Sequence, residues 1–294
     1  MSLRINTNVA ALNAYNNLNA NQSKLEGAFE QLSSGLRINK AADDASGLSI
    51  AQGLSSQING LTQAVSNAND ATNVAQIADG ALGTSQDILQ RMRSLVVQAS
   101  NTGTQDTDSL SAISAELTNL NSQLDAIGQQ TKFGQTNLLD GNYKGTFQVG
   151  ANGGDTITLD LTKVGGSGAN TGISASGLGL SGLNILSSGV SASAYNDGTS
   201  GAESASDLNA IDAAIKQVSS ARASIGATQN QLSYTTANLQ TAITNVTASR
   251  SNLTDADLAT EVTSMTQQQI LTQAATSVLA QANSAPQAIL KLLQ

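Results

Sequence analysis

Few residues in this chain are equipped for chemistry. Two carboxylate pairs, Asp43 with Asp44 and Asp255 with Asp257, are the candidates for acid–base work. Adjacent residues on a helix point about 100° apart, so Asp43 and Asp44 do not converge on a shared substrate. Negative charge of this kind suits a helix N-terminus, where the macrodipole favours it. The chain has no His and no Cys. That removes the commonest proton shuttle and transition-metal ligand, and with them thiol nucleophiles, thiolate ligands and disulfides. The glycine-rich stretches GANGGD and VGGSG lack the Gly-Lys-Ser/Thr that completes a phosphate-binding loop. Three triplets that begin at Asn21, Asn245 and Asn252 match the N-glycosylation pattern, but they fall within helical stretches. The expectation is therefore no catalytic residue, no cofactor and no metal. Function must come from surfaces.

The surfaces are sparsely charged. Of 294 residues, 12% are charged and 2% aromatic, and the net charge is −8. No basic stripe is present, which argues against nucleic acid. No apolar run approaches the roughly 18 residues needed to span a bilayer, and no leader-like apolar run opens the chain. A composition dominated by Ala, Asn, Gln, Ser and Thr suits long helices that bury narrow seams.

Those seams are visible as steps of three and four. The longest runs through Leu208, Ile211, Ile215, Val218, Arg222, Ile225, Gln229, Leu232, Thr236, Leu239, Ile243, Val246, Arg250 and Leu253. In the first half, one seam passes through Ala11, Tyr15, Leu18, Gln22, Leu25, Phe29, Leu32 and Leu36. A second passes through Leu54, Ile58, Leu61, Val65 and Ala68 and continues, shifted by one position, from Val74 to Ala99. A shorter helix over about 109–130 is expected to fold back on it. At the C-terminal end, Leu271, Ala275, Val278, Ala282, Ala285, Ile289 and Leu292 repeat the spacing. Pro286 is expected to bend that helix or start a new one, with Thr254 or Asp255 capping its start.

Helical signal stops at mid-chain. Phe147 and Val149, then Ile157, Leu159 and Leu161, alternate with polar residues around Asn152-Gly153-Gly154, which predicts a β-hairpin over about 146–161. Residues 165–206 are rich in Gly and Ser and are expected to form a short surface insertion, open to Ser/Thr glycosylation. The fold class that follows is mainly α: a long antiparallel coiled-coil rod with a β-hairpin at mid-chain.

The chain ends call for partners. Residues 5–23 and 262–290 contain no Asp, Glu, Lys or Arg, although solvated coiled coils carry charge beside the seam. Two paired helices alone bury little. Heterologous contacts between copies that do not close on themselves would bury the ends and generate a helical fibre. Leu18, Leu25, Phe29, Leu32, Leu36, Leu271, Val278, Ile289 and Leu292 are the candidate assembly seam. Ile58, Leu61, Val65, Leu232, Leu239, Ile243 and Val246 are the candidate packing seam of the rod.

The stretch EQLSSGLRINKAADDASGLSIA, residues 30–51, resembles the N-terminal signature of bacterial flagellins, and INTNVAALNA, NANDATNVAQIADGAL, LQRMRSLVVQASN, FQVGANGGDTITLDL and TSVLAQANSAPQAILKLL are similar to flagellin segments too. The resemblance implies a subunit of the extracellular flagellar filament, exported unfolded without a cleaved signal, and not an enzyme. It implies a terminal coiled coil (domain D0) from 1–42 and 254–294, a helical rod (D1) from 43–164 and 207–253, and a reduced or absent outer domain at 165–206. Implied partners are a homopolymer of itself, hook-associated and cap proteins, an export chaperone and host innate immune receptors. Carried over residue by residue, a mammalian Toll-like receptor patch falls on Leu89, Gln90, Arg91, Leu95 and Glu116. A plant epitope falls on Arg37, Ile38, Asn39, Asp43 and Asp44. The alternatives are the hook–filament junction protein, which shares parts of the terminal pattern, and a secreted coiled-coil binding module or adhesin.

Overall fold

A computed structural model describes residues 8–101, 104–162, 164, 172–180 and 200–292, without the side chains of 200–204 and 285–292. The elements in chain order are helices α1 (Val9–Ser34), α2 (Ala45–Ala99) and α3 (Thr107–Gln130), strands β1 (Lys132–Phe133), β2 (Thr136–Asn137), β3 (Lys144–Gln148) and β4 (Thr156–Asp160), and helices α4 (Ser200–Thr254) and α5 (Leu258–Leu292). They fall into two compact units, one of residues 1–58 with 244–294, the other of residues 59–243.

In the first unit α1 packs against α5. Asn8 caps α1 by accepting from the Ala11 N–H at 3.1 Å, while its Nδ2 donates to the Ala282 carbonyl at 2.8 Å. At the other end Leu36 and Asp255 form an antiparallel β-bridge. The two helices are therefore antiparallel. Gly35 ends α1 with φ 71°, and its N–H donates to the Gln31 carbonyl; a side chain there would be strained.

The inward stripe of α1 differs from the expected one. Ala14 and Ala28 are buried, and Ala11, Leu18, Asn21, Leu25 and Leu32 are half-buried. Tyr15, Phe29 and Leu36 are exposed. Leu18, Leu25 and Leu32 belong to both possible heptad stripes, and the stripe that shares them inwardly holds the alanines one position earlier. A two-helix contact is narrow, and small residues let the backbones approach. On α5 the stripe moves one position the other way, with Thr272 and Leu279 half-buried and Leu271 and Val278 exposed. The side chains of Ile289 and Leu292 lie outside the described residues. α5 runs on past Pro286 rather than starting anew. Its cap is Asp257, not Thr254 or Asp255, since α4 continues to Thr254 and the Asp257 carboxylate accepts from the Ala259 N–H at 3.0 Å.

In the second unit, α2, α3 and α4 contribute to one core. Leu82, Leu89, Met92 and Leu95 of α2, Leu117 and Leu124 of α3, and Ile211, Val218 and Ile225 of α4 share one core. Asp106 caps α3, its carboxylate accepting from the Ser109 N–H at 2.8 Å. β3 and β4 pair antiparallel with Phe147 opposite Ile157. Ile157 and Leu159 face inward and alternate with exposed threonines, as the period-two pattern requires. Ile157 and Val149 pack with Ala68 and Ala71 of α2 and Leu232 of α4.

The mid-chain insertion departs from expectation twice. α4 begins at Ser200, inside the predicted loop. Ile173, Ala175, Leu178 and Leu180 are buried in the main core rather than displayed on a surface; ISASGLGL carries enough apolar side chains to cover the end of α3.

Candidate functional site

Among the described residues nothing gathers three or more acidic side chains into one cluster. Among these same residues no group of three or more His, Cys, Asp or Glu is placed to hold a metal ion, and no helix is long and apolar enough to cross a membrane. Asp44 accepts from the Gly47 N–H at 2.8 Å and so caps α2. Asp43 accepts from the backbone N–H groups of Lys40 and Asn39 at 2.9 and 3.0 Å, and these bonds hold its carboxyl below the ordinary aspartate range. Both carboxylates are structural.

What the first unit does present is apolar surface. Val9, Leu12 and Tyr15 of α1 are each more than half exposed, as are Leu258, Ile270 and Val278 of α5, and Phe29, Val262 and Leu271 are not far below. The antiparallel register runs from Asn8 beside Ala282 to Leu36 beside Asp255. It sets Leu12 level with Val278 and Phe29 level with Val262. Val9, Leu12 and Tyr15 thus lie toward the same end of the pair as Val278, Phe29 toward the other end with Val262 and Leu258, and Ile270 and Leu271 midway, level with Ala20. Singly exposed apolar residues are ordinary; these stand on two helices in which residues 5–23 and 262–290 carry no charge.

The junction between the helices in this unit is held by hydrogen bonds. The Arg37 N–H donates to the Thr254 carbonyl at 2.7 Å, and the Ala256 N–H donates to the Gly35 carbonyl at 2.9 Å. The Arg37 guanidinium reaches the Leu253 carbonyl at 2.6 Å, a cation placed where the C-terminus of α4 favours one. Asn39 donates to the Ser34 hydroxyl at 2.8 Å, and Lys40 pairs with Glu30, which raises the lysine pKa. Ile38 is buried. The residues proposed as a plant epitope are therefore joined as one fold-back, with Ile38 inside it.

The second predicted patch is divided. Gln90 and Arg91 are exposed, and Arg91 pairs with Glu116 of α3 at 2.7 Å. Leu89 and Leu95 are instead 0% and 2% exposed. They are core residues of the three-helix packing and offer no surface, because steps of three and four that reach Met92 carry them to the inward face. Of the packing seam read from the sequence, Leu61, Leu232 and Leu239 are buried, and Ile58, Val65, Ile243 and Val246 are half-buried.

Leu12, Val262 and Ile270, together with the inward Ala14 and Ala28, were missed by the sequence reading. The charge-free stretches that hold most of them were the available signal. Asp79, which meets Arg222 across α2 and α4, left a trace only as an arginine in an apolar seam.

Two family models match the chain. The bacterial flagellin N-terminal helical region covers residues 5–144, and the bacterial flagellin C-terminal helical region covers residues 208–293. The chain belongs to the bacterial flagellin family. It is 41% identical to the flagellin of Bacillus subtilis over 99% of this chain and 100% of that protein. It is 40% identical to the flagellin of Halalkalibacterium halodurans over 99% of each. A crystal structure of Bacillus cereus flagellin aligns with 59% of this chain and 88% of that one, at 25% identity and a TM-score of 0.45. The chain is accordingly a structural subunit of the flagellar filament, and its family builds that filament outside the cell.

Proposed function

We propose that the exposed apolar faces of α1 and α5 are the surfaces on which successive subunits pack. The observation that carries this reading is that Val9, Leu12, Tyr15 and Phe29 of α1 and Val262, Ile270 and Val278 of α5 are exposed on helices that carry few charges. Apolar side chains of this size contribute about 1.5–3 kcal/mol each when fully buried, enough to drive polymerisation when several act together. On this reading the terminal pair forms the inner domain of the tube, bounded near residues 42 and 254. The α2–α4 helices with the hairpin form the next layer. Small shifts between packed arrangements, around residues 58–68 and 232–253, would give the tube its curve.

The finer partners belong to the same proposal. Junction and cap proteins of the hook would dock on the same apolar faces, and an export chaperone would hold α5 before assembly. Absence of cysteine suits a chain that passes through an export channel unfolded. Recognition by host receptors would engage Gln90, Arg91 and Glu116 and the 37–44 fold-back secondarily to assembly. The chain would perform no catalysis.

Electron microscopy of monomers seeded with filament fragments tests the proposal. The wild-type chain should elongate the seeds, and the filaments should persist in about 0.5 M salt, where exposed ion pairs are screened beyond a few Å. Val278→Asp, on a side chain that is 58% exposed, should leave helix content unchanged and stop elongation. Elongation by this variant at the wild-type rate would refute the assigned surface.

A further inference from the structure

Residues 172–180 lie in the stretch that neither family model covers, yet they are among the most enclosed parts of the second unit. Ile173 and Leu180 are 1% and 0% exposed and share the core with Leu124, Leu138 and Leu139. The segment satisfies its own turns, with the Leu178 N–H donating to the Ser174 carbonyl at 2.9 Å and Gly179 at φ 76°.

Three contacts seat it. The Ile173 N–H donates to the Leu139 carbonyl at 2.8 Å. The Ala175 N–H donates to the Asp125 carboxylate of α3 at 2.7 Å. The Ile173 carbonyl presses so closely on α3 that a β-carbon at Gly128 would lie 1.8 Å from it. Asp125 and Gly128 are three residues apart and so share a helix face. That face offers an acceptor at one level and bare backbone at the next. Gly172 is equally confined, since a β-carbon on it would lie 2.0 Å from the Leu139 carbonyl.

We propose that 172–180 is a strap that locks the end of α3 to residues 138–140, the chain leading into β3, and thereby holds the base of the β3–β4 hairpin. It bonds to both sides at once and shares one core with Leu124 and Leu139. The mid-chain stretch is then not one exchangeable loop, because its middle is part of the fold. This inference is independent of the assembly surface on α1 and α5.

The test uses the full chain as monomer. Alanine ordinarily replaces a helical glycine favourably, and a β-carbon at Gly80 of α2 would meet nothing within 4 Å. Gly80→Ala should therefore match or exceed the wild-type melting temperature. Gly128→Ala should lower it by about 5 °C or more. Asp125→Ala should speed hydrogen exchange at the Ala175 amide at least about tenfold while leaving the Leu82 amide unchanged. Should Gly128→Ala fail to fold, the Asp125→Ala exchange result decides alone. A Gly128→Ala chain as stable as Gly80→Ala, or unchanged exchange at Ala175 in Asp125→Ala, would overturn the strap.

Discussion

The Arg222 guanidinium of α4 donates to the Asp79 carboxylate of α2 at 2.8 Å and to the Gln86 side-chain oxygen at 2.9 Å. These contacts stand where the heptad spacing of α4 calls for an apolar residue. The hydrogen bond to Asp79 raises the arginine pKa, with Asp87 adding attraction. Both partners are more than a third exposed, so solvent screening keeps the pair worth about 1 kcal/mol or less. An arginine bonded to both Asp79 and Gln86 fixes which turns of α2 lie beside its turn of α4. Arg222→Ala should lower the denaturant midpoint slightly, by about 1 kcal/mol in stability. Arg222→Met, which fills the seam without a charge, should restore most of that loss. Equal loss in both variants would show that the guanidinium bonds, rather than the stem packing, carry the effect.

Leu89 and Gln90 are neighbours with opposite fates, one fully buried and the other exposed. Leu89→Ala should cost about 2–5 kcal/mol, the range for a buried leucine that leaves a cavity. Gln90→Ala should stay within about 0.5 kcal/mol of wild type. Thermal unfolding followed by circular dichroism separates the two. Any loss of receptor binding in a Leu89 variant should therefore track lost stability, whereas a Gln90 effect should not.

Much of this was legible in the residues. The spacing of Ile211, Val218, Ile225, Leu232 and Leu239 showed the buried edge of α4 because each of these is the large residue of its turn, and large apolar residues at a period of 3.5 have one face to occupy. The hairpin was legible because Ile157 and Leu159 alternate with threonine. The terminal pair was harder. Both Ala14 and Tyr15 continue the stripe set by Leu18 and Leu25, and choosing the larger residue gave the wrong one, since a close two-helix contact selects the smaller. The strap was illegible for another reason. Gly172–Leu180 has no period, and its burial depends on Gly128 and Asp125, over forty residues away, which only the folded chain brings near it.

Acid should loosen the caps. Asp257 and Asp106 have pKa values lowered by bonds from Thr260 and Ser109 respectively, and Asp43 by the N–H groups of Lys40 and Asn39. A carboxyl depressed in the folded state contributes stability that is fully present above its unfolded pKa of about 4. That contribution is lost as pH falls through the lower folded value. Helix content and stability should be flat from neutral pH to about pH 5 and decline below about pH 4. Asn at position 257 still accepts from the Ala259 N–H but does not titrate, so Asp257→Asn should show a shallower acid decline than wild type. An acid decline as steep as that of the wild type would mean that other carboxyls govern acid loss.

Ala28 and Phe29 provide the sharpest contrast in the terminal pair, being 5% and 48% exposed one residue apart. Enlarging the buried one forces α1 and α5 apart, at a cost of about 1–3 kcal/mol for overpacking. Removing the exposed ring leaves the pair untouched but deletes apolar surface that another subunit would cover. Ala28→Leu should therefore reduce the helix content of the isolated monomer and its heat stability. Phe29→Ser should leave both unchanged and raise the critical concentration for seeded elongation several-fold, since each roughly 1.4 kcal/mol of lost contact is a factor of ten in equilibrium. Sedimentation of filaments across a concentration series reads the critical value directly. If Phe29→Ser unfolds the monomer while Ala28→Leu does not, the inward stripe of α1 runs through Phe29 after all, and the outward apolar face loses one of its members.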